Sequence, residues 1–170
     1  MIYYDQRQAL FVKNYQNTPK IKLPMEVALE QARLAKKEGE VPVGAVIIDA
    51  SNDQIIAQTY NHMEQNRDPI AHAEILAIRE ATILKGQKWL EKCDMYVTLE
   101  PCAMCAAAIS LARIRRIYFG AYDIKSGGIE HGARFFEQIT CHHKPEIIGG
   151  INEVVSTKLL KDFFNNKRST

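Results

Sequence analysis

Two short segments of this 170-residue chain hold the residue types that carry out metal-assisted hydrolysis. The first is His72-Ala73-Glu74 and the second is Pro101-Cys102-Ala103-Met104-Cys105. Imidazole nitrogen and thiolate sulfur are donors that zinc prefers. Two cysteines three positions apart on one helical turn can aim their sulfurs at one ion, and a helix N-terminus favours thiolate over thiol. His72 supplies a third donor. Three protein ligands leave one tetrahedral position open to water, the arrangement of a catalytic zinc site rather than a closed structural one. Glu74 lies two residues after His72, close enough to reach the same cavity without ligating. A carboxylate in that place can take a proton from the water and hand it on. The spacing thus predicts His72, Cys102 and Cys105 as ligands of Zn2+ and Glu74 as the catalytic acid–base.

The elements that must position these side chains are readable from hydrophobic period and punctuation. Pro24 suits a helix start and Gly39 its end, and Met25, Ala28, Leu29, Ala32 and Ala35 share one face between them. The apolar run from Val43 to Asp49 reads as a buried strand. Ile55 to Tyr60 reads as its partner across a turn holding Asn52 and Asp53. A helix is expected over Ala71 to Lys85, closed by Gly86, and a strand over Met95 to Leu99. A helix follows over Cys102 to Ala112, then a strand over Ile117 to Phe119 that Gly120 ends. Tyr122 to Gly132 reads as a loop, Ile147 and Ile148 as a last short strand, and Glu153 to Asn166 as a terminal helix. Strands alternating with helices predict an α/β protein. Both chemistry-bearing segments then fall at helix starts. Residues 1–22 show no clear period and form an N-terminal extension to a single domain over 23–170.

Composition narrows the setting. The chain is 46% hydrophobic and 25% charged, with a net charge of +2, which excludes a uniformly basic coat but allows a local basic patch. No apolar run approaches a membrane span and the N-terminus lacks a secretory core, so no membrane partner and a cytoplasmic location are expected. Cysteines at short spacing then read as metal ligands rather than disulfides. Cys93 reads as a small hydrophobe or turn residue before its strand. Cys141-His142-His143, followed by Lys144 and Pro145, reads as a solvated loop. A closed, noncatalytic zinc site would have to recruit its fourth ligand from these four residues.

His-x-Glu followed by Pro-Cys-x-x-Cys is the pattern of zinc nucleobase deaminases, a far more specific signal than either half alone. Around it, Val41-Pro42-Val43-Gly44-Ala45-Val46, Asp68-Pro69-Ile70-Ala71-His72-Ala73-Glu74-Ile75 and Val97-Thr98-Leu99-Glu100-Pro101-Cys102-Ala103-Met104-Cys105 resemble the bacterial tRNA-specific adenosine deaminases of the cytidine-deaminase-like superfamily. The resemblance runs from about Ala28 to Arg168. It implies a three-layer α/β/α fold around a central mixed five-stranded sheet, one zinc ion per subunit, a homodimer, and a tRNA anticodon stem-loop bound across both subunits. The implied reaction is adenosine to inosine at the wobble position. By the same resemblance Asn61 is the pocket asparagine that hydrogen-bonds the target nucleoside, and Asp123, in Gly120 to Gly127, contacts the RNA backbone. Phe163, Phe164, Lys161, Lys167 and Arg168 belong to a C-terminal aromatic and basic helix that holds the stem-loop. The chain departs from the family at Tyr122, where many members carry a basic residue, and over Ile129 to Lys144.

From residue types alone, Leu159, Leu160, Phe163 and Phe164 at helical spacing would be core, with one aromatic buried while the other is presented. The lysines of the last helix would be a solvated face. Asn61 would be a turn residue and Asp123 a loop cap. Two rival functions use the same motifs: a deaminase of a free guanine- or cytosine-type base or nucleoside, and a noncatalytic RNA-binding protein on the same fold. The second leaves Glu74 without a purpose.

Overall fold

The computed structural model describes residues 23–168. Its elements run α1 (Pro24–Lys37), β1 (Gly44–Asp49), β2 (Gln54–Tyr60), α2 (Met63–Asn66), α3 (Ala73–Lys85), β3 (Cys93–Leu99), α4 (Ala103–Leu111), β4 (Arg116–Ala121), a 3-10 turn (Phe135–Glu137), β5 (Glu146–Ile148) and α5 (Glu153–Arg168). Pro24 occupies the first turn of α1, and Glu26 reaches back to accept the Leu23 N–H. Gly39 follows α1, and Gly86 caps α3, both with left-handed φ, as the punctuation predicts. The one-turn α2 and the 3-10 turn carry too few residues to show a period. Cys93 opens β3 rather than preceding it, and it is buried, as a small hydrophobe should be.

The strands form one five-stranded mixed sheet in the order β2-β1-β3-β4-β5. β1 is antiparallel to both β2 and β3, while β4 is parallel to β3 and to β5. All six residues of β1 are buried, and all but the last, Asp49, form a continuous apolar run with no alternation. Its two faces serve different layers. Ala45 and Ile47 join Ala73, Ala77, Met95, Val97, Ala106, Ile109 and Phe119 in the core beneath α3 and α4. Val46 and Ile48 face the other way and pack with Met25, Val27 and Ala28 of α1, bordered by the stacked rings of Tyr96 and Tyr118. α5 lies over β4, where Gly120 leaves room for the buried Ser156, since a Cβ there would stand 2.4 Å from its Oγ. The result is the expected three-layer α/β/α arrangement. Among the described residues no helix is long and apolar enough to cross a membrane.

Candidate active site

Chain direction brings the two motifs together. β3 ends at Leu99 and the chain turns through Pro101, so that Cys102 caps α4 and Cys105 sits in its first turn. From the other side, His72 caps α3 and Glu74 lies in that helix's first turn. Two helix N-termini, whose first N–H groups have no intrahelical partner and which carry a partial positive charge, therefore converge on one spot and favour negative charge there. Ala73, between His72 and Glu74, is clamped from the end of β2 and the residue that follows it. Thr59 Oγ1 donates to the Ala73 carbonyl at 2.7 Å, and Asn61 Oδ1 accepts the Ala73 N–H at 2.9 Å. Asn61 is buried, and it orients the peptide between His72 and Glu74.

His72 Nδ1 lies 3.7 Å from Cys102 Sγ and 3.5 Å from Cys105 Sγ. The three donor atoms all fall within 4.8 Å of one another. Zinc bonds of about 2.0–2.1 Å to nitrogen and about 2.3 Å to sulfur, set tetrahedrally, require N···S edges of about 3.6 Å. Donor set and spacing therefore fit a zinc ion held by His72, Cys102 and Cys105. Among the described residues this is the one group of three close His, Cys, Asp or Glu donors. Two of the spare donors are engaged elsewhere: Cys141 Sγ lies 3.5 Å from Ser110 Oγ, and His143 Nε2 lies 2.7 Å from the Ile114 carbonyl. The Cys141 loop is solvated at His142 and Lys144, as expected, while Cys141 and His143 are half-buried and pinned to α4 and the Ile114 carbonyl.

Electrostatics agree with these roles. The hydrogen bond from the Cys105 thiol, aided by His72, lowers the Cys102 thiol to about 4, poising it as a thiolate. The same bond and burial push Cys105 up, so a metal that takes both sulfurs must displace that proton. Glu74 is 3% exposed, and burial raises its carboxyl above the ordinary range. A carboxyl whose proton affinity is raised by burial is better suited to a general acid–base role than an exposed one.

Beyond the metal end, Leu99, Ala121, Tyr122, Asp123, Lys161, Phe164 and Arg168 belong to the lining of an open groove of about 510 Å³. Asp123, Lys161, Phe164 and Arg168 are thus brought together on one groove. Asp123 Oδ1 accepts the N–H groups of Lys125 and Ser126, so it also caps its own loop. Lys167 is exposed but lies over the Phe163 ring at 4.9 Å and does not line the groove. Phe163 corrects an expectation: it is 5% exposed, packed edge-to-face with Phe164, and a ring with no free face cannot stack on a base. Only Phe164, 44% exposed, is presented.

Residue typing missed Glu100. Its side chain is buried, and it accepts five hydrogen bonds from the loop after β4. Burial would raise its carboxyl, but the bonds from His131, Asp123 and Glu130 outweigh that and hold it below the usual range. An acidic residue directly after a strand and two positions before a ligand cysteine was the available signal.

Zinc-dependent nucleobase deaminases are built on this plan, with a His/Cys/Cys triad and a nonligating glutamate. The description "Cytidine and deoxycytidylate deaminase zinc-binding region" matches residues 19–121, a span that contains all four of these residues. A tRNA-specific adenosine deaminase of Agrobacterium fabrum is 51% identical over 144 residues, covering 85% of this chain and 93% of that protein. A solved structure from work on A-to-I editing by tRNA:A34 deaminases at the wobble position superposes with a TM-score of 0.78 at 50% identity, covering 81% and 98% of the two chains. The guanine deaminase of Nitrosomonas europaea, 20% identical, shares the fold with a TM-score of 0.73 over 90% and 91%. The chain belongs to the cytidine and deoxycytidylate deaminase family and, within it, to the tRNA-specific adenosine deaminases.

Proposed function

We propose that this protein hydrolyses adenosine to inosine at the wobble position of a tRNA anticodon loop, with one zinc ion per subunit held by His72, Cys102 and Cys105. The observation that carries the chemistry is Glu74, a buried carboxyl with a raised affinity for its proton, beside a zinc-fitting donor triad. Bound there, zinc supplies Lewis acidity that brings a water's proton within reach of a carboxylate near neutral pH. Glu74 takes that proton as the water oxygen attacks C6. It returns the proton to the adjacent ring nitrogen and then assists the departing amine, so that adenosine and water give inosine and ammonia. Asn61, with Oδ1 committed to Ala73, meets the nucleoside through its side-chain N–H2 group.

The groove supports a macromolecular substrate. Phe164 offers a stacking face, Lys161 and Arg168 meet phosphates, Lys167 adds charge nearby, and Asp123 accepts from a ribose hydroxyl. A loop base is splayed into a pocket at low unstacking cost, unlike one in a duplex. The relatives' activity on tRNA points the same way. Helices α3 and α4 pack together and present Ile83, 81% exposed, and Leu111, 78% exposed. A second copy of the chain would cover such residues, in keeping with a homodimer acting on tRNA in the cytoplasm.

A free-base deaminase is the alternative that the shared fold with guanine deaminase keeps in view. The test is inosine formation in an anticodon stem-loop with a wobble adenosine, run beside free adenosine, guanine and cytosine. Inosine from the hairpin alone is expected. Ammonia from a free base, with an unmodified hairpin, would overturn the tRNA reading.

A further inference from the structure

Glu100 stands two residues before a metal ligand, yet every hydrogen bond of its carboxylate goes to the loop between β4 and the 3-10 turn. Its Oε1 accepts the N–H groups of Ile129, Glu130 and His131 at 3.3, 2.8 and 2.9 Å. Its Oε2 accepts the Asp123 N–H at 3.1 Å and lies 2.8 Å from His131 Nδ1. One carboxylate thus gathers both ends of the loop. The middle of the loop is pressed on the metal-bearing turn: Gly128 N–H donates to the Pro101 carbonyl at 2.8 Å, and Gly127 pairs with Cys102. A side chain at Gly128 would come within 2.5 Å of the Ala103 nitrogen, so only glycine permits this approach.

Charged hydrogen bonds to a buried carboxylate are the strong kind, and a single acceptor that closes several donors fixes them relative to one another. Here the donors include the backbone of Asp123, at the rim of the groove. His131 extends the connection, because its ring meets the Tyr122 ring edge-on at 5.7 Å, and Tyr122 lines the groove. A continuous set of contacts therefore runs from the Pro101–Cys102 turn through Glu100 and His131 to the groove wall. Unlike Glu100, His131 is partly exposed, its side chain 34% accessible, and no core packing depends on it.

We propose that Glu100 and His131 form a clasp that sets the groove wall, Tyr122 and Asp123, in register with the metal-bearing turn, and that His131 is a positioning residue for the nucleic-acid substrate. The inference rests on the tRNA-deaminase reading for its substrate. The removable part is the His131 arm, since loss of Glu100 would leave a buried nest of N–H groups without an acceptor and threaten the fold itself.

The experiment compares the wild type, His131→Ala and His131→Asn, the last because an Asn side-chain nitrogen can reach the place of Nδ1 and still donate to Glu100. Two quantities are read: amide hydrogen exchange over residues 123–131, which needs no substrate, and kcat and KM on the wobble stem-loop at matched zinc content. For His131→Ala, faster exchange confined to this loop is expected. KM should rise about tenfold, with kcat changed far less, the scale of one lost hydrogen bond to a charged group. His131→Asn should restore both. Unchanged exchange and KM in His131→Ala would overturn the proposal. So would equal losses of kcat and zinc, which would make His131 part of the metal site's structure. If the wild type leaves the hairpin unmodified, the substrate reading fails by itself, and the exchange result still decides whether the clasp exists.

Discussion

The metal end and the groove end of this molecule are built on opposite terms. At the metal end, Glu74 and Cys105 are buried, each sits in the first turn of a helix, and their backbones are fixed by neighbouring strands or turns. At the groove end, Lys161, Phe164 and Arg168 stand on the exposed face of one terminal helix. Catalysis needs a few donors held to a fraction of an ångström, which only buried and well-bonded backbone supplies. Recognition of a charged, flexible strand draws on stacking and diffuse charge, which exposed side chains provide in small, separable contributions. Damage at the first end should therefore be all-or-none, and damage at the second graded.

The sharpest break is expected at the ligands. Cys102→Ser or Cys105→Ser should abolish deamination and bound zinc together, read by elemental analysis beside an ammonia assay, and chelation of the wild type should do the same. Retention of zinc and turnover by Cys105→Ser would remove the contrast between the two ends. Next comes a comparison within α5. Phe163→Ala should lower stability by about 3–5 kcal/mol in chemical denaturation, because it empties a core position. Phe164→Ala, one residue on, should leave stability nearly unchanged and raise KM for the stem-loop about tenfold through a lost stacking face. Equal stability losses for the two would mean that both rings are core. The smallest effect belongs to charge: Lys161→Ala or Arg168→Ala should each reduce the slope of log affinity against log salt by about 1. A slope that does not change would make this face ordinary solvated surface.

The same division governs what was legible in the sequence. His72, Glu74, Cys102 and Cys105 could be assigned because their types are rare in combination and their spacing is set by local helix geometry, as were the strand–helix alternation and the stops at Gly39 and Gly86. Phe163 and Phe164 could not be told apart by type. Adjacent helical residues point about 100° apart, and which one faces the sheet depends on how α5 is laid over β4. The pairing of Glu100 with His131 was illegible for another reason. They lie 31 positions apart and meet only after β4 has been placed beside β3. Cys141 and His143 read as part of a solvated loop, yet they spend polar atoms on α4 and on the Ile114 carbonyl, contacts that likewise exist only in the folded chain.

The most direct test removes the proton carrier and leaves the metal. Glu74→Gln keeps the shape of the side chain but cannot exchange a proton, so the enzyme should bind its full zinc and stem-loop while single-turnover inosine formation falls by about a thousandfold. Fully zinc-loaded Glu74→Gln enzyme that forms inosine at close to the wild-type rate would contradict the mechanism at its centre.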